Sequence, residues 1–339
     1  MTVRVAIMGF GRMGRSVFRA CYPRTDMQVV AINDIADPKA MEYLLRHDSL
    51  SGPFPEPVSI IDDFLYVQGR RIPVLHQKEP GEVPWFEYGV DVVVEATGRY
   101  RTAAQLRRHL EAGADRVVLT TPPRDEIDVV YVPGMNREPI ARSHRLISCG
   151  SSTANCLVLM LKLLDENFGV QSGFFTSVHA YTSEQSLIDT FHGDFRLSRA
   201  AVENIVPVST WSVHMVDRLF PHLAGKFGGG KLNVPVSDVS CVDLVTVHDQ
   251  EVSASEVNEV FRSAARSTLK GLVHFTEEPI VSSDVSGSPA SCTFDSLTTM
   301  VVENSMVKTL GWYDQGGGLA ARIVDVLAQL APRGEGVRS

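Results

Sequence analysis

Long apolar runs are missing from this chain. None of its segments reaches the roughly 18 consecutive apolar residues that a membrane-spanning helix needs, so a membrane protein is not expected. An excess of basic residues is missing too: 32 lysines and arginines face 40 acids, a formal net charge of -8, without any block of like charges. A nucleic-acid partner is therefore not expected. Cysteines are few, at positions 21, 149, 156, 241 and 292. Their odd number and scattered spacing argue against a disulfide framework and against a zinc site, and they read as small buried hydrophobes. No metal is expected. The N-terminus shows no basic leader ahead of an apolar core, which predicts a cytoplasmic protein. Internal repeats and low-complexity linkers are absent as well, while 339 residues exceed what one core usually holds, so two tightly joined domains are expected.

What is present begins with Val3-Arg4-Val5-Ala6-Ile7-Met8, a short apolar strand that runs into Gly9-Phe10-Gly11-Arg12-Met13-Gly14-Arg15 and then into a helical pattern through Ala20. A GxGxxG run alone is weak. Here it follows a strand, opens a helix and is answered by a second strand, Val29–Ile32, ending at Asn33-Asp34. Glycines at such an elbow let the backbone approach a pyrophosphate held at the helix N-terminus, and an acid about 20 residues on can accept hydrogen bonds from the ribose. Asp34 is that acid, which favours NAD over NADP; a plain turn residue is the alternative reading. Asp91–Tyr100 and Arg116–Pro123 read as further buried strands separated by a helix around Gln105–Leu110; Thr97 and Thr120 fall at their carboxyl ends, where ligands bind in parallel sheets. Residues 1–151 are thus predicted to form a Rossmann-type doubly wound parallel sheet, an α/β domain completed by a C-terminal helix over 317–332.

The stretch Ser148-Cys149-Gly150-Ser151-Ser152-Thr153-Ala154-Asn155-Cys156 joins the end of a strand to Leu157–Leu164, a helix apolar almost all round and therefore buried. Small residues with side-chain oxygens at that junction cap the first turn and leave amide N–H groups facing outward, where a nucleophile or an oxyanion meets the positive end of the helix. Beyond it the predicted strands lengthen: Gly173–His179, Val234–Val247 and Ser291–Met306. Residues 152–316 are accordingly expected to form an α+β catalytic domain with a mixed or antiparallel sheet. Tyr181–Val208 reads as loop-rich, Trp312–Gly318 as a flexible turn, and Leu319–Leu330 as a helix with a stripe at Leu319, Ile323, Val326, Leu327 and Leu330.

These segments, together with Leu44–Ser49, Ala96-Thr97-Gly98-Arg99, His179-Ala180-Tyr181-Thr182 and Trp312-Tyr313-Asp314, resemble the glyceraldehyde-3-phosphate dehydrogenase family in order and over nearly the whole length. The resemblance implies an NAD-dependent aldehyde dehydrogenase acting through a covalent acyl-enzyme on a small phosphorylated or anionic aldehyde, with inorganic phosphate as acyl acceptor and a homotetrameric assembly. It implies cofactor contacts from Gly9, Phe10, Gly11, Arg12, Met13, Gly14, Asp34, Thr97, Gly98, Thr120 and Gln315, the last where the family has an asparagine. Ser152 and His179 are implied as the reacting pair, and Ser151, Thr153, Thr182, Arg199, Thr210, Trp211 and Asn233 as substrate-binding.

Four positions depart from the family pattern. Its junction reads SNASCTTNC, so Ser152 stands in place of the nucleophilic cysteine, and a serine hydroxyl is not ionised at neutral pH. Two origins are open: an inactive paralogue, acting as an NAD or metabolite sensor, or a chain whose cysteine was replaced by its usual isostere. Asn233 and Leu197 stand where the family has phosphate-binding arginines, and Trp211 where it has glycine. Each lost guanidinium removes charge-assisted contacts worth roughly 1.5–3 kcal/mol, so glyceraldehyde 3-phosphate is a doubtful substrate. Lys231, His214 or Arg199 are the candidates for a displaced cation.

Overall fold

The computed structural model describes residues 2–330, and these divide into two compact units, 2–150 with 319–330, and Ser151–Gly318. In the first unit the apolar runs become the centre of a nine-stranded sheet, ordered Val129–Val130, Leu146–Ser148, Arg116–Leu119, Val92–Glu95, Val3–Met8, Met27–Asn33, Arg70–Leu75, Phe64–Val67 and Val58–Ile61. Every neighbouring pair from Val129–Val130 to Arg70–Leu75 is parallel. Val92, Val93, Val94 and Ile7 have no exposed surface, as expected of strands covered on both faces. The last two strands, Phe64–Val67 and Val58–Ile61, add an antiparallel meander that the sequence reading does not contain.

Val3–Met8 lies between Met27–Asn33 and Val92–Glu95, so the chain leaves this strand in one direction and returns on its other side. Such a reversal opens a crevice at the carboxyl edge. Two backbone bonds frame it: Gly9 N–H donates to the Asn33 carbonyl and Ala96 N–H to the Met8 carbonyl, both at 2.7 Å.

The second unit holds an eight-stranded mixed sheet, ordered Val206–Val208, Phe227–Val234, Val170–Ala180, Ser240–His248, Met306–Tyr313, Cys292–Asp295 and Val273–Thr276, with Met300–Val302 beside Met306–Tyr313. The helix Ser152–Phe168 lies against this sheet, and residues 157–161 are wholly buried, in keeping with their apolar sequence. Cys156 faces the sheet, its thiol 3.6 Å from the Gly311 carbonyl.

Three predicted elements are corrected. Val234–Val247 is not one strand. Phe227–Val234 ends where it was predicted to start, and the chain turns through Val239, at φ +57°, before Ser240–His248. Ser291–Met306 is likewise broken, by a 3-10 turn at Ser296–Thr298. Trp312 and Tyr313 belong to a strand rather than a flexible turn, and the buried Asp314 carboxylate accepts the Gly316 and Gly317 N–H groups at 2.8 and 2.6 Å. The terminal helix runs Gly317–Gln329, with its predicted apolar stripe buried; positions 331 and 332 lie outside the described residues.

Candidate active site

The nucleotide side is built by main-chain constraint. Gly9 sits at φ +93°, and a side-chain carbon on Gly14 would lie 2.0 Å from the Gly9 carbonyl oxygen, so neither position accepts another residue without moving the backbone. Nothing among the described residues stands within 4 Å of where a Gly11 side chain would point. The helix Arg12–Cys21 starts there without a side-chain cap, leaving its first N–H groups to a ligand. Phe10 is buried and Met13 packs on the core, and the Phe10 N–H and carbonyl are engaged by Asp34 and Arg15.

Asp34 closes the elbow. One carboxylate oxygen accepts the Phe10 N–H at 2.5 Å and the other the Ala36 N–H at 2.8 Å. Ionised oxygens keep further lone pairs for ribose hydroxyls, and a 2′-phosphate would face this negative charge. A cleft of about 200 Å³ lies here, lined by Gly9, Gly11, Asn33, Asp34, Thr97 and Arg99 among others. Bare glycine backbone, an open space over Gly11 and a fixed acid together fit a dinucleotide. Thr120 is different: it is buried, and its hydroxyl donates to the Glu95 carbonyl at 3.1 Å, so it finishes the sheet edge.

Thr97 is held by a network that sequence reasoning missed. Its N–H and hydroxyl donate to one oxygen of Glu95, at 2.8 and 2.5 Å, while the other oxygen lies 3.0 Å from His109 Nε2. Trp85 Nε1–H donates to His109 Nδ1 at 3.0 Å; that nitrogen is therefore the acceptor, and Nε2 carries the proton toward Glu95. Trp85, Glu95 and His109 are all 0% exposed. One acid closing the Val-Val-Val run was the only sequence signal for them.

In the second unit Ser152 opens the helix Ser152–Phe168, and the preceding Ser151 caps it, its hydroxyl accepting the Ala154 N–H at 3.1 Å. Ser152 itself is half-buried, at the end where the helix field favours a developing negative charge. None of the five cysteines can take its role. All are buried, and burial pushes the Cys149 thiol up to about 12, far from the range of a reactive thiolate.

His179 lies near the end of Val170–Ala180, 7% exposed. Its Nδ1 is 2.7 Å from the Ala180 carbonyl, a contact that requires Nδ1 to donate and puts the basic lone pair on Nε2. Gln315 Nε2 donates to the Ser240 hydroxyl at 2.9 Å and comes within 3.4 Å of both His179 Nδ1 and the Ala180 carbonyl. The residue proposed for the nicotinamide is thus anchored in the histidine's own surroundings.

Thr153 does not project outward. It is buried, and its hydroxyl lies 2.6 Å from the Tyr313 hydroxyl, which is 3.0 Å from Ser177 Oγ. The Tyr313 ring stands edge-on to His179, centroids 6.3 Å apart, and burial raises its pKa, so it remains a neutral phenol. Tyr313, which the sequence reading held only as part of a family landmark, ties the first turn of the helix to the histidine strand.

The remaining substrate candidates fall into two groups. Thr182, Gln185 and Asn233 come together: Gln185 Oε1 accepts the Asn233 amide at 2.6 Å and the Thr182 N–H at 3.3 Å. Arg199 instead pairs with Asp189 at 3.1 Å within the exposed 189–200 segment. Thr210 Oγ1 accepts the Ser212 N–H at 3.2 Å, and the half-buried Trp211 stands edge-on to His214. No described helix is long and apolar enough to cross a membrane, and no group of His, Cys, Asp or Glu among the described residues has the arrangement of a metal site.

Comparison with known proteins agrees with this arrangement on both units. Residues 3–103 match the glyceraldehyde 3-phosphate dehydrogenase NAD binding domain, and residues 148–315 the C-terminal domain of the same family. The chain is 42% identical over 332 residues to glyceraldehyde-3-phosphate dehydrogenase 1 of Bacillus cereus, covering 98% of this chain and 99% of that protein. It is 44% identical over 329 residues to the glyceraldehyde-3-phosphate dehydrogenase of Streptomyces coelicolor, covering 96% and 98%. Likeness of that extent, in one order along both units, means that this chain belongs to the glyceraldehyde-3-phosphate dehydrogenase family and that NAD is its cofactor.

Proposed function

We propose that the chain oxidises a small aldehyde by the covalent route of its family, with Ser152 in the nucleophile's place and His179 as base. The observation that carries this reading is the pairing of roles: Ser152 on the first turn of a 17-residue helix, and an imidazole whose Nδ1–H is held by the Ala180 carbonyl. His179 Nε2 would take the hydroxyl proton as Ser152 Oγ adds to the carbonyl carbon and hand it to the new alkoxide, giving the hemiacetal; it would then take the hemiacetal O–H proton, pass it to solvent and leave an ester on Ser152, with NAD, when bound, serving as the hydride acceptor. Phosphate or water then releases the acyl group. The N-terminal field of the helix steadies the oxyanion, and the Gly9–Asp34 elbow with Thr97 and Gly98 holds the dinucleotide.

Because an alcohol is a far weaker nucleophile than a thiolate, turnover by the native chain is expected to be slow. The test is NADH formation by the Ser152→Cys form across a panel of small aldehydes; no absorbance change with any of them, at saturating NAD, would remove the dehydrogenase reading. Ser152 also favours a second reading, a silent NAD-binding paralogue, which requires tight NAD binding with no turnover from the native chain. We further take the chain to be a cytoplasmic homotetramer. Leu187, Ile188, Phe191, Phe195 and Ile205 are 61–104% exposed along one segment, an apolar surface suited to self-association, and a monomeric mass in solution would contradict it.

A further inference from the structure

Asn233 and His179 are register partners on adjacent parallel strands, so their side chains share one face of the sheet. Beside them sits an incomplete hydrogen-bond arrangement. Gln185 Oε1 accepts from the Asn233 amide at 2.6 Å and from the Thr182 N–H at 3.3 Å, and the Thr182 donor fixes which way the Gln185 amide is turned. Two atoms are then left over, Gln185 Nε2 as donor and Asn233 Oδ1 as acceptor; both are buried and neither has a hydrogen-bond partner among the described residues. The residues are only 8% and 2% exposed. Buried amide groups left this way are destabilising, and one donor with one acceptor asks for a partner that both accepts and donates.

We propose that the Gln185–Asn233 pair is the recognition subsite for an uncharged hydroxyl on the aldehyde, so that the substrate class is a small neutral hydroxyaldehyde rather than a phosphate ester. A hydroxyl accepts from Gln185 Nε2 and donates to Asn233 Oδ1, completing both atoms at once. A doubly ionised phosphate has no proton to give, and it would set its oxygens against the Asn233 carbonyl. Two of the candidate cations are poorly placed to offset this. Arg199 pairs with Asp189, and Lys231, two residues before Asn233 on its strand, has its pKa lowered by burial. The inference rests on the reading of Ser152 and His179 as the reacting groups, and its test separates the two.

Using the Ser152→Cys form with NAD, we compare kcat/KM for glyceraldehyde, glyceraldehyde 3-phosphate and propanal. Glyceraldehyde is expected to exceed both others by about tenfold or more, since a site built around a hydroxyl rejects analogues that lack or mask it. Asn233→Arg is expected to reverse the order of glyceraldehyde and its phosphate. Preference for the phosphate ester before that change would overturn the proposal and assign the charge to Lys231; equal rates with propanal would overturn it by showing that the pair holds only water. Should no aldehyde react while NAD still binds, the dehydrogenase reading fails alone, and the subsite is decided by saturation-transfer NMR on the native chain. Glycerol binding in preference to glycerol 3-phosphate, lost in Asn233→Arg, sustains it; the opposite preference refutes it.

Discussion

The cofactor elbow and the substrate end beside Asn233 are finished to different degrees. At the elbow the two polar side chains that frame the ligand space are already fastened: Asp34 accepts two backbone N–H groups, and Thr97 is held twice by a buried glutamate. At the substrate end two buried amide atoms wait for a partner. Preformed geometry suits a ligand common to a whole family, since its binding then costs little reorganisation. An unfinished arrangement suits a ligand peculiar to this chain. On the proposed reading, the chain diverges from its family at the substrate end and the nucleophile and keeps the nucleotide machinery.

The largest expected effect tests the nucleophile. Ser152→Cys should raise NAD-dependent aldehyde oxidation by roughly a thousandfold, followed by NADH absorbance, while leaving the NAD dissociation constant unchanged. A cysteine form as slow as the native chain would break the comparison, because the fault would then lie elsewhere in the site. Next comes the elbow: Asp34→Ala removes the acceptor of the Phe10 and Ala36 N–H groups along with the ribose contact, and NAD affinity measured calorimetrically should fall by roughly tenfold to a hundredfold. Unaltered affinity would mean that the carboxylate serves the loop alone.

Tyr313→Phe tests whether the nucleophile's support belongs with the finished region. Its hydroxyl joins Thr153 to Ser177 in a fully buried position, and losing it should cost about 1–3 kcal/mol of stability, read from denaturant unfolding. KM for the aldehyde should stay the same, since the group faces the framework. A changed KM with full stability would assign Tyr313 to the substrate.

What the sequence made legible was whatever depends on burial and on the absence of side chains. The Val-Val-Val strands, the elbow glycines, Asp34 and the all-apolar helix after Ser152 each follow from one local rule. The illegible parts depend on partners distant along the chain. Val239 adopts φ +57°, a conformation that a β-branched residue rarely takes, so an alternating apolar pattern across it reads as one strand when it is two. Thr153 reads as a site residue because of its neighbours, yet it turns inward to a tyrosine 160 positions later. The Glu95–His109–Trp85 network has the same character, and no spacing rule announces it.

The smallest expected effect concerns the displaced cation. If the substrate end recognises a neutral group, Arg199 is a tie within its own segment, and Arg199→Ala should change KM by less than about twofold, as exposed ion pairs contribute little. Asp189 supplies the accompanying pH argument. Its carboxyl is held below the usual range, first by the Ala200 N–H that donates to it and then by Arg199. A lowered folded-state pKa means that the tie is complete above the unfolded value of 3.8 and weakens as pH falls through the folded one; at neutral pH it is intact in the native chain. Protection factors for amide exchange across 189–200, corrected for the intrinsic pH dependence of exchange, should therefore be the same at pH 7 and pH 5 and fall only in stronger acid. A large rise in KM for the aldehyde in Arg199→Ala, with exchange in the segment unaltered, would instead make this arginine an anion ligand and return the substrate end to the pattern of phosphate recognition.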